Sequence, residues 1–261
     1  MKQTRRTFTI YVSVALWLIV LTGCQLQPAR LQTPGTLRVL TYNIHHGEAM
    51  DSKFDYERLA KVINDLSPDI VALQEMDKGT HRASGVDQAA LLGKLCNMHY
   101  AFGQAMPYQG GQYGEAILSR FAIKKTAVHP LPYNVGQEPR AALEVLIELE
   151  DIGPIVFVGT HLCHQSNETR LQQTRRISEL FAKETAGPAI LAGDFNARPG
   201  SEPMDVLLGS GLTDIVAPDS KIDYILVRAS DPWKVEEVII VDEPVVSDHD
   251  PVLAVIKWQG N

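Results

Sequence analysis

Polar residues with catalytic chemistry stand at the ends of short apolar segments throughout the chain. Six such segments end or begin at Asn43, Glu75, His161, Asp194, Asp223 and His249. Functional side chains of α/β proteins gather at strand ends and in the loops that follow them. Carboxylate, amide and imidazole groups without a cysteine cluster are typical of a hard, oxygen-ligated cation and of phosphate chemistry. The pattern therefore predicts one site for metal-assisted reactions at phosphate.

The elements that must position these residues alternate between strand-like and helix-like patterns. Strands are predicted over residues 37–42, 69–73, 116–118, 141–149, 155–158, 189–192, 222–227, 235–241 and 252–256. Helical spacing of apolar residues predicts helices over residues 54–66, 88–95 and 168–183. Several strands, such as IVFVG and AILAG, are apolar on both faces, which is typical of layered α/β domains. We expect one folded domain over residues 37–261.

Composition excludes several classes of protein. The chain has 261 residues, of which 45% are hydrophobic and 21% are charged, as in an ordinary globular protein. A disordered chain, a fibrous repeat and a polytopic membrane protein are therefore excluded. Three cysteines are too few for a disulfide-stapled scaffold. The net charge of −7 makes a basic nucleic-acid binder an unfavoured interpretation.

The first 23 residues have the pattern of an export signal. Positive residues precede a 14-residue apolar run from Phe8 to Leu21, which is short for a membrane span of about 20 residues. The run ends in LTGC, which resembles the lipobox of bacterial lipoproteins and implies lipidation of Cys24. We expect an exported, membrane-anchored lipoprotein of the bacterial cell envelope, with a tether over residues 24–36. An ordinary secretory signal, an uncleaved anchor and a twin-arginine signal are the alternatives.

The polar motifs, taken in order, resemble those of the endonuclease/exonuclease/phosphatase family. The matching residues are Asn43, Gln74-Glu75, Thr160-His161, Gly193-Asp194-Phe195-Asn196, Ile222-Asp223-Tyr224 and Ser247-Asp248-His249. The resemblance extends from about residue 37 to residue 258, which is nearly the whole predicted domain. It implies a four-layer α/β/β/α sandwich, in which two mixed sheets face each other and helices cover their outer faces.

The resemblance also implies a metal site and an activity. Glu75 would be the main metal ligand, with Asn43 and Asp248 nearby. Mg²⁺ suits a site with one or two carboxylates and several retained waters, and Mn²⁺ is the alternative. The implied enzyme hydrolyses phosphate esters by attack of an activated water molecule.

The catalytic roles follow from the same motifs. His249 would be the general base, with its tautomer fixed and its pKa raised by Asp223. Asp194 would orient or deprotonate the attacking water, and which of His249 and Asp194 takes the proton stays open. Asn196 would contact the phosphate, and His161 would donate a hydrogen bond to a phosphoryl oxygen.

Three further residues are assigned by resemblance. The deoxyribonuclease-like branch of the family carries a glutamate at the position of Glu115 that pairs with the histidine matching His161. We therefore predict a contact between Glu115 and His161 that raises the pKa of the histidine. Arg140 and Tyr113 are expected to bind substrate, and a surface salt bridge is the alternative for Arg140.

Two rival functions are weaker. His161, Cys163 and His164 could contribute to a zinc site, but adjacent strand residues face opposite sides and no second half-site appears. A non-catalytic binding module would lack residues such as Glu75, Asp194, Asn196 or His249, and all four are present.

Charge and loop length bear on the substrate. Removing residues 1–23 takes away three basic residues and leaves 21 basic against 31 acidic residues, a net charge of −10. Affinity for long DNA comes largely from neutralising phosphates, so this charge weakens the case for a nuclease. The segments GTHRASG and MPYQGGQYG, where relatives place recognition elements, are also short. We expect a monomer acting on a small or lipid-derived phosphoester, and a nuclease of DNA or RNA is the alternative.

Overall fold

The computed structural model describes residues 33–182, 187–216 and 222–260. The predicted export signal, Cys24 and most of the predicted tether lie outside this range, as does Lys183 at the end of the predicted third helix. From Thr33 onward the chain forms one compact unit. Within the described range, every helix is too short or too polar to serve as a membrane-spanning segment.

The first of two six-stranded sheets combines the beginning and the end of the domain. Its strands are β1 (Thr36–Asn43), β2 (Ile70–Lys78), β3 (His99–Tyr108), β4 (Gly111–Ser119), β11 (Trp233–Ile240) and β12 (Val252–Trp258). Their order is β11-β12-β1-β2-β4-β3. β1 and β2 are parallel, and the other neighbours are antiparallel.

The second sheet has the same number of strands and a similar arrangement. Its strands are β5 (Ile123–Pro130), β6 (Ala141–Leu149), β7 (Gly153–His161), β8 (Ala189–Asp194), β9 (Leu212–Asp214) and β10 (Asp223–Arg228). Their order is β5-β6-β7-β8-β10-β9, with β7 and β8 as the parallel pair. Both sheets are therefore mixed, as predicted.

Among the described residues, four α-helices cover the outer faces of the sheets, and a short 3-10 helix, His45–Gly47, follows β1. The α-helices are α1 (Tyr56–Leu66), α2 (Gln88–Leu95), α3 (Asn167–Phe181) and α4 (Glu202–Gly209). The first begins two residues later than predicted because the Asp55 carboxylate caps it, accepting a hydrogen bond of 3.0 Å from the amide of Arg58. One apolar cluster fills the space between the sheets, and two others lie beneath the helices. This is the predicted α/β/β/α sandwich.

The predicted strands are all present, and three more strands occur that the pattern did not indicate. The additional strands are β3, β5 and β9, and each lies at the edge of its sheet. Edge strands are covered less completely and carry more polar residues, so their apolar pattern is weak. The short helix α4 was also not predicted.

The topology brings the ends of distant strands to one end of the molecule. The parallel pairs β1–β2 and β7–β8 direct their carboxyl ends the same way within each sheet. β12 runs antiparallel to β1, and β10 runs antiparallel to β8. Residues that precede β12 or open β10 therefore lie beside the residues that end β1 and β8.

Candidate active site

A cavity of about 400 Å³ opens where these strand ends meet. The predicted site residues in its lining are Glu75, Tyr113, Arg140, His161, Asp194, Asn196 and His249. Asn43 and Asp223 lie directly behind them and contact them by hydrogen bonds. Residues predicted from motifs more than 200 positions apart in the chain thus share one site.

Glu75 projects into the cavity from a β-bulge. Between Leu73 and Met76 the pairing of β2 with β4 shifts, and Glu75 adopts a φ of 62°. This left-handed conformation is costly for a residue with a side chain, and such strain is concentrated at functional sites. The Asn43 side-chain amide donates to Glu75 Oε1 at 3.1 Å and fixes the carboxylate.

The carboxylate of Glu75 is held in its charged form. Burial by itself would raise its pKa, but His46 at 3.5 Å, the hydrogen bond from Asn43 and the positive charge of Arg140 hold the pKa well below its usual range. A carboxylate that stays charged while largely buried is suited to a cation.

His249 and Asp223 form a close pair. His249 Nδ1 lies 2.8 Å from Asp223 Oδ2, and His249 Nε2 faces Asp194 Oδ2 at 3.6 Å. Burial opposes the charged imidazole, but the hydrogen bond and charge of Asp223 outweigh it and raise the pKa of His249 to about 9. Asp223 therefore holds the imidazole through its Nδ1 atom.

Asp194 is the most enclosed acid at the floor of the cavity. Burial, followed by the charge of Asp223, raises its pKa to about 7. Its Oδ1 accepts the backbone amide of Asn196 at 2.8 Å. Its Oδ2 accepts the side-chain amide of Asn43 at 3.2 Å and lies 3.3 Å from His161 Nε2. These contacts orient the carboxylate toward both histidines.

Arg140 sets the tautomer of His161. Its NH1 group donates to His161 Nδ1 at 2.8 Å, so the neutral imidazole carries its proton on Nε2. Asn196 Nδ2 lies 3.0 Å from this Nε2 and also donates to the Leu162 carbonyl. Burial, and then the positive charge of Arg140, lower the pKa of His161 well below its usual value.

The predicted contact between Glu115 and His161 is wrong. Glu115 is fully buried in β4, and neither carboxylate oxygen has a hydrogen-bond partner among the described residues. Arg140 occupies His161 Nδ1 instead, so the pKa of the histidine is lowered rather than raised. Burial raises the pKa of Glu115 well above its usual value. The acid therefore lies behind the site, where burial disfavours its charged form.

Arg140 belongs to the site and not to the surface. Its side chain is only 2% exposed, and it contacts the Tyr113 hydroxyl at 3.3 Å and Glu138 Oε1 at 3.3 Å. Its NH2 group lies 3.4 Å from His164 Nδ1. The surface salt bridge considered for Arg140 is thus replaced by a buried network that reaches the cavity.

A model of the endonuclease/exonuclease/phosphatase family matches residues 40–249. The chain belongs to this family. Members hydrolyse phosphate esters with the help of a divalent metal ion, and the chain is an enzyme of this class. The matched range contains every strand-end residue described above.

The chain is also similar to individual proteins and solved structures. The uncharacterized protein YbhP of Escherichia coli K12 is 27% identical over 186 residues, which cover 67% of this chain and 73% of YbhP. A family member from Beutenbergia cavernae has a similar structure, with a TM-score of 0.72, 24% identity, and coverage of 86% of this chain and 72% of that one.

Two further structural neighbours are a named phosphatase and a named catalytic domain. A mannosyl-6-phosphatase of Bacteroides thetaiotaomicron has a TM-score of 0.67 at 20% identity, covering 85% of this chain and all of that chain. The human Nocturnin catalytic domain has a TM-score of 0.67 at 18% identity, and the match covers 88% of this chain and 97% of that chain. At these identities the likeness concerns the fold.

The donor groups fit the divalent metal that the family uses. Glu75 offers a charged carboxylate, and Asn43 holds that carboxylate while its own Oδ1 accepts the amide of His45 at 3.0 Å. Asp248 is exposed, and its carboxylate lies 3.4 Å from the hydroxyl of Ser247. Oxygen donors of this kind suit a hard cation.

A second group of donors has metal-ligand spacing. Ligand atoms of Asp194, Asp223 and His249 lie within 4.8 Å of one another, and this is the one such group among the described residues. Neither Cys163 nor His164 belongs to it, so the zinc site considered from sequence has no support. Cys96 and Cys163 are both free thiols.

The family motifs do not cover several residues of the cavity wall, although Arg82 and Tyr108 lie in the two segments where recognition elements are expected. Arg82, Tyr108, Glu138 and His164 line the cavity, and His46 contacts Glu75. The first four lie in loops or an edge strand, and His46 lies in a short 3-10 helix, His45–Gly47, so no apolar period marks these positions. The left-handed backbone of His46, with a φ of 47°, directly precedes Gly47, whose φ is 82°.

Proposed function

We propose that the chain is a Mg²⁺-dependent hydrolase of small or lipid-derived phosphate esters that acts through an activated water molecule. The observation that carries this proposal is the convergence of two sets of groups on one cavity. The His249–Asp223 pair and Asp194 form one set, and the Arg140–His161 pair with Asn196 forms the other. Members of both sets line this cavity, where a water and a phosphate can contact them.

Glu75, oriented by Asn43, would hold the metal ion. When bound, Mg²⁺ neutralises negative charge on the phosphoryl oxygens. The carboxylate is already charged and fixed, so little reorganisation is needed for binding.

The pair of Asp194 and His249 would orient and deprotonate the attacking water. Asp194 Oδ2 and His249 Nε2 lie 3.6 Å apart, so one water can contact both atoms. Asp223 keeps the Nε2 atom of His249 directed at this position by binding the opposite nitrogen. Proton transfer by such positioned groups contributes roughly 10²- to 10⁴-fold to the rate.

Donors next to Asp194 would stabilise the charge that develops on phosphate. His161 Nε2–H and the Asn196 side-chain amide lie 3.0 Å apart, and both residues line the cavity. Arg140 adds a buried positive charge behind them. Donors fixed before the reaction stabilise a transition state more than mobile ones do.

Cavity size and net charge support a small substrate. About 400 Å³ is in the range of small-molecule sites, and duplex DNA would meet a domain of net charge −10 after signal removal. The structural neighbour named as a mannosyl-6-phosphatase acts, according to that name, on a small phosphate ester.

The test is hydrolysis by the full-length protein in detergent with Mg²⁺. Substrates are p-nitrophenyl phosphate, bis-p-nitrophenyl phosphate, phospholipid vesicles and plasmid DNA, with Glu75→Gln as the matched inactive control. We expect turnover of a small ester or a phospholipid that is lost in the variant and in EDTA. Faster cleavage of plasmid DNA than of all other substrates would establish the nuclease alternative instead.

We also propose that the protein is an exported lipoprotein, anchored by Cys24, and a monomer. The support is the sequence pattern of residues 1–24. Metabolic labelling with a radioactive fatty acid should mark the wild type and not the Cys24→Ser variant. Equal labelling of both would remove the lipid anchor from the proposal.

A further inference from the structure

Arg82 is held rigidly at the wall of the cavity by a buried carboxylate. Its Nε donates to Asp77 Oδ2 at 2.6 Å, and its NH2 donates to Asp77 Oδ1 at 3.0 Å. The Asp77 side chain is 0% exposed, and its Oδ2 also accepts the Thr80 hydroxyl at 2.9 Å. Two parallel bonds of this kind fix the plane of a guanidinium group as well as its position.

Aromatic rings confine the same guanidinium. Its central carbon lies 4.7 Å from the ring centre of Tyr108 and 5.5 Å from that of Tyr113. Asp77 uses two of its three nitrogens, and no acceptor among the described residues binds the third, NH1. The Arg82 side chain is 22% exposed and keeps one donor group, NH1, unused. Because its other contacts fix it in place, this donor group is positioned to bind a ligand.

Arg82 is separate from the groups proposed to act on the reacting phosphate. Arg140, which contacts His161, has its central carbon 6.0 Å from the ring centre of Tyr113. Both arginines line one cavity, and both lie near this ring. The charge of Arg140 is balanced by Glu138 at 3.3 Å. The cavity thus carries a second guanidinium, which is held by Asp77 and not by the residues around His161.

We propose that Arg82 determines specificity by binding a second phosphate group of the substrate. The inference rests on the proposed function, because the first phosphate is the one hydrolysed at the part of the cavity lined by Asp194 and His161. The planar guanidinium donates to phosphate oxygens through NH1. Asp77 holds the guanidinium in one position, so it cannot turn away to bind another acceptor. The preferred substrate is therefore a small phosphoester that carries two phosphates separated by a short linker.

Binding without turnover tests this inference. Isothermal titration calorimetry of the full-length protein in EDTA would compare thymidine 3′,5′-bisphosphate with thymidine 5′-monophosphate. We expect the wild type to bind the bisphosphate about tenfold or more tightly than the monophosphate, as one charge-assisted contact provides. In Arg82→Gln this ratio should fall to about one, while the affinity for the monophosphate is retained.

Controls separate the inference from folding and from the proposed activity. Arg82→Gln leaves Asp77 buried without its cationic partner, so the double variant Asp77→Asn/Arg82→Gln, which removes both charges, should show the same loss of discrimination. Arg176→Gln removes an exposed arginine paired with Glu179 and should leave the ratio unchanged. Discrimination that persists in both Arg82 variants, or its absence from the wild type, would overturn the role of Arg82. The ratio of the two affinities is measured without hydrolysis. It can therefore be determined even if the activity assay detects no turnover.

Discussion

At the scale of single residues, the site depends on side chains whose ordinary behaviour is changed by their neighbours. Glu75 has a left-handed backbone and a lowered pKa, and His249 has a raised pKa. Each change has an identifiable partner: Asn43 and His46 for the acid, Asp223 for the imidazole. Replacing the partner should therefore change the pKa of the site residue while that residue itself is kept.

Asp223→Asn should lower the pKa of His249 from about 9. The variant removes the negative charge that favours the imidazolium, while burial, which disfavours it, remains. We expect hydrolysis to fall roughly 10²- to 10⁴-fold as the imidazole loses its orientation. NMR titration of ¹³C-labelled histidine measures the pKa, and an unchanged value would contradict the pairing.

Glu115→Gln should change how stability depends on pH. The pKa of Glu115 is raised in the folded protein, so the folded state binds more protons than the unfolded chain. The stability that depends on this group is present below the unfolded pKa of about 4.5 and is lost as pH rises toward the folded pKa.

Glutamine resembles the neutral acid and does not titrate. The difference in melting temperature, variant minus wild type, should therefore grow from pH 5 to pH 8. Thermal melts followed by circular dichroism measure it, and parallel pH profiles for the two proteins would show that Glu115 is charged in the fold.

At the scale of elements, the strands position the site through close backbone contacts. Asp194 ends β8, and the preceding Gly193 lies against the carbonyl of Thr160 on the parallel strand β7. A Cβ atom at Gly193 would collide with that carbonyl. The absence of a side chain is therefore what allows the ends of the two strands to carry His161 and Asp194 side by side.

Gly193→Ala should destabilise the protein by about 1–3 kcal/mol, as overpacking in a fitted core does. Urea unfolding measures the change. Gly209→Ala is the matched control, because no atom outside its own helix lies within 4 Å of the added Cβ. The control should be neutral or slightly stabilising, and equal losses in both variants would contradict the close approach at Thr160.

The sequence predicted elements well where one face or both were buried. The interior strands β1, β2, β7, β8 and β12 follow from their apolar runs. Edge strands such as β5, with three exposed residues in succession, do not show that pattern. Burial of a strand produces a regular pattern of apolar residues in the sequence. Edge strands are less buried, so this pattern is weak and does not predict them.

At the scale of the whole molecule, the site is assembled from both ends of the chain. The hydroxyl of Ser247 donates to the carbonyl of Asn43 at 2.7 Å, and the amide of His249 donates to the same hydroxyl at 3.2 Å. These bonds join the loop that carries His249 to the end of β1. The loop can take this place because β12 pairs with β1.

Net charge gives a prediction for the entire domain. With −10 after signal removal, binding of a duplex should not exceed the non-specific level, a Kd weaker than about 10⁻⁶ M at physiological salt. An electrophoretic mobility shift with a short duplex in EDTA measures it. Tighter binding would show that local basic groups outweigh the overall charge and would favour the nuclease alternative.

The sequence by itself determined the family, the fold class and most of the chemical groups, because motifs and buried strands are local patterns. Only the tertiary structure decided which groups touch. His161 can accept one strong donor at Nδ1, and Arg140, which precedes the neighbouring strand β6, takes that position while Glu115 remains buried in the other sheet. Arg82 likewise becomes part of the wall only through Asp77 and two tyrosines. Which side chain contacts His161 or reaches the cavity wall depends on the order of strands and on packing. Neither can be predicted from a short segment of sequence.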